Sequence, residues 1–314
     1  MMKESKNLKF MKTFNERLLP SLSTCTLGAL ELFSKEGVSK VKLRKFKRPI
    51  IVGSGNAKVT SQILYSNSDC IFADENNIDE ALKRKSVDGI IIFSASGSKH
   101  APIIAKKALK RNIPIQLVTC TKNSPAEKII GTKNTIVTSK NREPYTYNTS
   151  TYLGWILAKT EENPKKILEY IEKEVSKKIS KNLGKYNSYL IITPNEFEKT
   201  NSLFETKFTE LFGRQIARDV KTYEQLKHAI TIVPSKTELC IKFSDTGEDI
   251  YFNGDVIKIP LPKKCGPAAM MAIGYYVIGK IQEQHKQYFK DNITQYVRKV
   301  SSKPFGEGIK VIVE

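Results

Sequence analysis

Two short loops in the first half of the chain have the composition of an anion-binding turn. Ser94-Ala95-Ser96-Gly97-Ser98-Lys99 follows the apolar run Asp88–Phe93, and Gly53-Ser54-Gly55 follows the apolar run Pro49–Val52. Small residues let a phosphate approach backbone N–H groups at the start of a helix, and hydroxyl and ammonium groups add hydrogen bonds and charge. The candidate phosphate-binding residues are therefore Gly53, Ser54, Gly55, Ser94, Ser96, Gly97, Ser98 and Lys99.

Both loops also have an ordinary structural interpretation. A tight turn between a strand and a helix needs glycine for its backbone, and serine often caps the helix that follows. Gly53-Ser54-Gly55 does not complete the dinucleotide-binding pattern GxGxxG, because Lys58 stands where the third glycine is required.

A glutamate and a histidine in the second half form a candidate acid/base pair. Glu210 lies in a helical segment with an apolar side, and His228 precedes an apolar run. A carboxylate and an imidazole are the groups that most often move protons in enzymes. The spacing alone favours the simpler interpretation, a surface glutamate and a structural histidine.

Apolar runs alternate with small-residue loops and helical segments through the first half. Besides the two runs named above, strands are predicted at Ile115–Thr119 and Thr135–Val137, with a helix at about Ala101–Arg111 between them. Unbroken β-branched runs are typical of strands buried on both faces of a parallel sheet. The pattern predicts an α/β fold with a doubly wound parallel sheet, whose ligands bind at the carboxyl ends of the strands.

The second half starts similarly and then changes. A strand at Tyr189–Ile192 and a helix at Glu196–Ala217 are followed by a predicted strand at Ala229–Val233. Three further apolar runs follow, at Glu238–Phe243, Ile250–Phe252 and Val256–Ile259. Only short turn segments separate them, Asp245-Thr246-Gly247 and Asn253-Gly254. Because Asn-Gly favours a hairpin and no crossover helix fits, we expect a shortened, partly antiparallel second domain.

Charge and cysteine content limit the classes of partner and site. The chain of 314 residues has a net charge of +20, which favours an anionic partner or a solvated lysine-rich surface. Its 5 scattered cysteines and 3 histidines fit neither a disulfide framework nor a zinc site, so we expect no metal, no cofactor and a reducing cytoplasm. Met1–Phe10 is polar and basic, and no apolar run is long enough to span a bilayer, so we expect neither a secretory signal nor a membrane partner.

Several motifs together resemble the sugar isomerase (SIS) domain family. Ser94-Ala95-Ser96-Gly97 is similar to its SxSG phosphate loop, with Lys99 in the usual place of a threonine, and Glu143–Thr151 is similar to its later Ser/Thr loop. Lys207-Phe208-Thr209-Glu210 and Gln225-Leu226-Lys227-His228 resemble the KxKE and ELKH motifs in the isomerase portion of glucosamine–fructose-6-phosphate aminotransferase. The closing segment, from Lys303-Pro304 to Glu314, resembles the one that carries the family's essential lysine.

The resemblance implies roles for particular residues. It implies two SIS-type, flavodoxin-like domains that bind a sugar phosphate without a cofactor, with Thr149, Ser150 and Thr151 in a substrate loop. Glu210 would be the base that moves a proton between C1 and C2, His228 would open the sugar ring, and Lys310 would stabilise developing charge or condense with the carbonyl. The histidine of the family comes from a neighbouring subunit, which implies a homodimer with shared sites. The apolar segment Ala268–Ile278 is a second reason to expect a dimer, because one small domain need not cover it fully.

The resemblance also predicts the domain boundaries. These are an N-terminal helical and basic segment at 1–47, a first SIS domain at 48–160, a connecting helix at 161–188, a reduced second domain at 189–302, and a closing tail at 303–314.

The favoured function is an aldose–ketose isomerase or an aminosugar-phosphate deaminase that acts on a hexose or hexosamine 6-phosphate through an enediolate. The chain shows no glutaminase portion and no cysteine after Met1, so an aminotransferase is not expected. One alternative is a SIS-type sensor that has kept the phosphate loop and lost catalysis. A nucleic-acid binder is disfavoured, because neither a helix-turn-helix nor an aromatic and basic RNP pattern is present.

Overall fold

The computed structural model describes residues 5–229, 232–244, 252, 254–303 and 308–314. These form two compact units, which we name by their larger sheets. The five-stranded unit comprises Gly37–Lys140 and Ser150–Glu161, and the four-stranded unit comprises Met1–Glu36, Asn141–Thr149 and Glu162–Glu314.

Twelve α-helices and eleven strands occur in the described part of the chain. The helices are α1 Lys6–Thr13, α2 Leu22–Glu36, α3 Asn56–Leu64, α4 Ile78–Ala81, α5 His100–Leu109, α6 Pro125–Ile130, α7 Thr149–Thr160, α8 Pro164–Tyr170, α9 Glu198–Phe212, α10 Tyr223–Lys227, α11 Pro267–Gln284 and α12 Tyr288–Ser301. The strands are β1 Ile50–Val52, β2 Ile71–Ala73, β3 Ile90–Phe93, β4 Ile115–Thr119, β5 Thr135–Val137, β6 Glu143–Pro144, β7 Ser188–Thr193, β8 Ala217–Thr222, β9 Glu238–Ser244, β10 Asp255–Pro260 and β11 Ile312–Val313.

The five-stranded unit is a parallel α/β sheet in the order β2-β1-β3-β4-β5. Its central strands β1, β3 and β4 are buried along their whole length. That burial explains why they read as unbroken apolar runs in the sequence. Because all five strands are parallel, the loops that follow β1, β2 and β3 leave the sheet at the same edge.

The four-stranded unit is also built on a parallel sheet, in the order β10-β9-β7-β8. Helix α11 packs against α2 and α9, and its residues from Ala268 to Ile278 are all buried within this one chain. A partner subunit is therefore not needed to cover that segment. The predicted connecting helix begins at Pro164 and continues after Tyr170 as a π-helical turn, Ile171–Val175, and a short 3-10 turn, Ser176–Lys178.

The α/β class with parallel sheets is confirmed. Strand β10 pairs with β9 in parallel, from Asp255 opposite Leu239 to Pro260 opposite Ser244, where the sequence predicted an antiparallel stretch. The hairpin predicted at Asn253-Gly254 depends on residues 250, 251 and 253, which lie outside the described residues. The antiparallel pair of this unit joins β11 to β6 instead.

Four strands were not predicted, namely β2, β6, β8 and β11. β6 and β11 have two residues each, β8 is largely polar, and β2 is an apolar segment of only three residues at the edge of its sheet. The predicted helix Glu196–Ala217 ends at Phe212, where Gly213 has a φ of 60°, and Ala217 opens β8. Of the predicted strand Ala229–Val233, residues 230–231 lie outside the described residues and the others are in no strand. Residues 245–251, 253 and 304–307, on which other sequence predictions depend, also lie outside them.

Candidate functional site

The loop from Ser94 to Lys99 is held in shape at the carboxyl end of β3. Gly97 has a φ of 59°, and a Cβ at this position would collide with the side chain of Ser124, so only glycine fits. The backbone N–H of Gly97 donates to the Oγ of Ser94 at 3.2 Å, and the hydroxyls of Ser96 and Ser98 lie 2.7 Å apart. The N–H of Ala126 donates to the carbonyl of Gly97 at 2.9 Å, which ties the loop to α6.

This loop presents hydrogen-bond donors to solvent. Ser96 and Lys99 are exposed, and helix α5 begins directly after Lys99, so its first-turn N–H groups face the loop. Within the described residues, no carboxylate contacts the hydroxyls of Ser94, Ser96 or Ser98. The combination of serine hydroxyls, a lysine and a helix start suits an anion such as a phosphate group.

The loop after β1 has a different electrostatic character. The hydroxyl of Ser54 donates to Oε2 of Glu75 at 2.5 Å, and the ammonium group of Lys58 donates to Asp74 at 2.7 Å. This hydrogen bond from Ser54 lowers the pKa of Glu75 below its usual range, so the carboxylate is ionised at neutral pH. Gly53 allows the backbone of Lys58 to approach closely, and Gly55 has a φ of 54°.

Thr149, Ser150 and Thr151, the expected substrate loop, form the buried first turn of α7. The N–H of Thr149 donates to Oε2 of Glu143 at 2.5 Å, and the hydroxyl of Thr151 lies 3.4 Å from the sulfur of Cys120. All three side chains are at most 1 % exposed.

In the four-stranded unit, Glu210 is paired with a lysine that is completely buried. Lys207 is 0 % exposed, and its ammonium group donates to Oε2 of Glu210 at 2.6 Å and to the carbonyl of Thr146 at 2.7 Å. Burial raises the pKa of Glu210 above the usual carboxyl range, and the charge of Lys207 opposes part of that rise. Because its side chain is still 22 % exposed, Glu210 combines a raised pKa with access to solvent.

The segment that accepts the hydrogen bond from Lys207 has a strained backbone. Thr146 has a φ of 75° and Asn148 a φ of 45°, which is costly for a β-branched threonine. Tyr147 between them is fully buried, and its hydroxyl accepts from the side-chain amide of Gln282 on α11 at 2.8 Å. This packing holds the strained segment next to Lys207.

Sequence reasoning missed the contribution of Lys207, although a signal was present. On α9 the apolar stripe runs through Leu203, Phe204, Phe208 and Leu211, and Lys207 occupies a position on the same stripe. A lysine in an apolar stripe is buried only if its charge is paired. That spacing therefore predicts a partner for Lys207, and the partner is the neighbouring Glu210.

The other two predicted catalytic residues lie on the surface of the same unit. The side chain of His228 is 79 % exposed, and its Nε2 lies 3.4 Å from Glu224 on its own helix, α10. Lys310 is exposed and lines an open groove of about 300 Å³ with Arg298, Glu16 and Ile312. Neither has a described hydrogen bond to Glu210 or Lys207.

In the part of the chain that the structure describes, no three His, Cys, Asp or Glu side chains come together as a metal site. None of the described helices has the length and apolar character to cross a membrane.

Comparison with known proteins connects the fold to solved structures. No protein-family model and no curated protein sequence matches the chain. Glucosamine-6-phosphate deaminase from Thermotoga maritima is similar in structure, with a TM-score of 0.57 at 14 % identity, and the match covers 92 % of this chain and 97 % of that one. Tagatose-6-phosphate ketose/aldose isomerase from Escherichia coli matches with a TM-score of 0.56 at 11 % identity, over 85 % and 92 % of the two chains.

A third similar structure is the C-terminal domain of glucosamine-fructose-6-phosphate aminotransferase from Francisella tularensis. Its TM-score is 0.51 at 13 % identity, over 92 % of this chain and 97 % of that one. The parallel sheets of both units, together with these matches over nearly the whole chain, show that this protein has the α/β fold of these phosphosugar isomerase and deaminase structures.

Proposed function

We propose that this protein binds a hexose or hexosamine 6-phosphate and catalyses aldose–ketose isomerisation or the related deamination. In both reactions a base removes a proton next to a carbonyl or imine carbon and returns it to the neighbouring carbon. The intermediate is an enediolate or its enolamine counterpart. Such chemistry needs a carboxylate of raised pKa, a group that balances developing negative charge, and a site that holds the phosphate.

The observation that carries the proposal is the pair of Glu210 and Lys207. A carboxylate with an ordinary pKa is a weak base at neutral pH, and burial makes Glu210 a stronger one. The contact of 2.6 Å to the completely buried Lys207 orients the carboxylate, and the charge of the lysine opposes part of the rise in the pKa of Glu210. The carbonyl of Thr146 holds the lysine from the other side, so the base has little freedom to rotate away.

The phosphate group is assigned to the loop from Ser94 to Lys99. Its hydroxyls, its lysine and the start of α5 supply donors, and Gly97 allows the close packing against Ser124 that fixes the shape of the loop. His228 and Lys310 keep their proposed roles in ring opening and in charge stabilisation. Their exposure is compatible with a histidine that serves a neighbouring subunit and a lysine carried by a closing segment.

A second candidate is a phosphosugar-binding protein without catalysis. The observation that favours it is the position of His228, which contacts only Glu224 of its own helix among the described residues. A protein that has lost ring opening would still need the phosphate loop, and it would bind the sugar phosphate without turning it over.

The two candidates are separated by exchange of the C2 proton of glucose 6-phosphate or glucosamine 6-phosphate with deuterated water. Wild type is expected to exchange this proton, with a rate that rises with pH as Glu210 loses its own proton, and with a midpoint above the usual carboxyl pKa of 4.5. Glu210→Gln keeps the shape and removes the base, so the rate should fall about 10²–10⁴-fold.

Glu205→Gln is the matched control, because Glu205 lies on the same helix, is exposed, and also has a pKa raised by burial. It should exchange at the wild-type rate. If wild type and Glu210→Gln exchange the C2 proton at equal rates, Glu210 is not the base. Binding of either sugar phosphate without any exchange would favour the phosphosugar-binding protein.

A further inference from the structure

A carboxylate lies at the edge of the five-stranded sheet where a phosphate is expected. Glu75 follows β2, two residues beyond Ala73, and it accepts the hydroxyl hydrogen of Ser54, which follows the neighbouring strand β1. Its other carboxylate oxygen lies 3.7 Å from Nε2 of His100, the first residue of α5. The loop from Ser94 to Lys99 ends directly before that histidine, so Glu75 borders the proposed phosphate site.

Phosphate binding alone does not account for this carboxylate. Ser54 directs its only hydroxyl hydrogen to Glu75, so this serine offers an oxygen acceptor and not a donor to a ligand. Glu75 stays ionised, because the same hydrogen bond lowers its pKa. Its negative charge repels most strongly a ligand that brings a second anionic group next to it.

A second acceptor belongs to the same loop. Asn56, at the start of α3, is only 7 % exposed, and its Oδ1 receives no hydrogen bond from the described residues. Lys58, the nearby cation of this loop, is neutralised by Asp74 at 2.7 Å. The loop after β1, together with the carboxylates that follow β2, therefore has an excess of acceptors and negative charge, whereas the loop after β3 has an excess of donors.

Strands β1 and β3 are direct neighbours in the sheet, so the two loops leave the same edge side by side. A ligand that spans both needs an anionic group at one end and hydrogen-bond donors at the other. A sugar phosphate has this form, with its phosphate at one end and hydroxyl or ammonium groups at the other.

We propose that Glu75 is a specificity-determining residue that accepts a hydrogen bond from a hydroxyl or amino group of the ligand and rejects ligands with a second anionic group. This inference rests on the proposed sugar-phosphate function and narrows it to neutral or amino sugar monophosphates. Sugar bisphosphates and phosphorylated sugar acids place a second negative charge near Glu75 and are excluded by repulsion.

The test is the affinity of wild type and Glu75→Gln, by isothermal titration at pH 7.5, for glucose 6-phosphate and fructose 1,6-bisphosphate. Wild type should prefer the monophosphate. Glu75→Gln removes the charge, so affinity for the bisphosphate should rise about tenfold and affinity for glucose 6-phosphate should stay equal or fall. The side chain of Glu75 is 34 % exposed, and glutamine keeps its shape, so the variant is expected to fold.

Glu80→Gln is the control, because Glu80 is a nearby carboxylate on α4 that pairs with Lys83 and has a side chain 75 % exposed. It should leave the ratio of the two affinities unchanged. If Glu75→Gln also leaves that ratio within about twofold of wild type while glucose 6-phosphate binds, the role of Glu75 is refuted and the proposed function stands. If wild type binds neither ligand nor glucosamine 6-phosphate, the role of Glu75 and the proposed function both fail.

Discussion

At the scale of single residues, the feature that matters most is a charge placed where hydrophobic side chains are expected. Lys207 is fully buried, and its cost of desolvation is offset by hydrogen bonds to Glu210 and to the carbonyl of Thr146. A buried ion pair is weak evidence for stability, because apolar residues of similar size often stabilise a core better. Its presence beside a solvent-accessible carboxylate is the reason that the proposed function assigns the base to Glu210.

The phosphate loop yields a prediction at the same scale. Ser96→Leu replaces an exposed hydroxyl that contacts Ser98 with a bulky apolar group, so binding of glucose 6-phosphate should weaken by at least tenfold. Thermal stability should stay near that of wild type, because surface substitutions usually change it little. Ser66→Leu is the control, since Ser66 is an exposed serine in the turn after α3. Unchanged affinity in Ser96→Leu, measured by isothermal titration, would contradict phosphate binding at this loop.

At the scale of elements, the C-terminal end of α11 depends on a neutral histidine. Nε2 of His285 lies 2.6 Å from the hydroxyl of Tyr189, and its ring packs edge-on against Phe212 at 5.8 Å. Burial lowers the pKa of His285 below its ordinary value of 6.5, because the imidazolium form loses solvation.

The lowered pKa of His285 makes the free energy of unfolding depend on pH, and the sign of this dependence follows from the direction of the shift. Below pH 6.5 the unfolded chain binds a proton at His285 that the folded chain does not bind, so folding is favoured less as pH falls towards the lowered pKa. The free energy of unfolding by urea should therefore decrease between pH 7.5 and 5.5. His285→Gln should lose part of this slope, whereas His228→Gln, at an exposed site, should keep it. Identical slopes for wild type and His285→Gln would show that His285 does not contribute.

At the scale of the whole molecule, the open question is whether two copies share a site. Helix α11 is covered by its own chain, so the expectation of a homodimer now rests on the resemblance and on the exposed position of His228. If each site combines Glu210 of one subunit with His228 of the other, a heterodimer of two inactive variants contains one intact site.

We therefore predict complementation between Glu210→Gln and His228→Asn. After unfolding and refolding an equal mixture, about a quarter of the sites should be intact, and proton exchange should recover to that fraction of the wild-type rate. Each variant refolded alone is the control and should stay inactive. A monomer by light scattering, or no recovery in a mixture shown to contain heterodimers, would exclude a shared site.

Much of this protein follows from its sequence alone, because some signals are local. The buried strands β1, β3 and β4 are apolar runs in the sequence, and the glycines and serines that follow β1 and β3 predict the candidate phosphate loops. The local sequence is enough to predict these elements, because the composition of a buried strand and the backbone conformation of a tight turn are properties of short segments.

Other features were decided only by tertiary structure, because they depend on partners distant in sequence. The parallel pairing of β9 and β10 depends on the whole sheet, whereas the sequence of this stretch predicted antiparallel strands. The largely polar edge strand β8 is defined by its pairing with β7 and not by its own hydrophobicity. Lys207 meets Thr146, 61 residues earlier, and Ser54 meets Glu75, 21 residues later. Such contacts depend on how the chain packs. The residue types therefore predicted which loops could bind or react, and the packing determined which charged groups lie next to those loops.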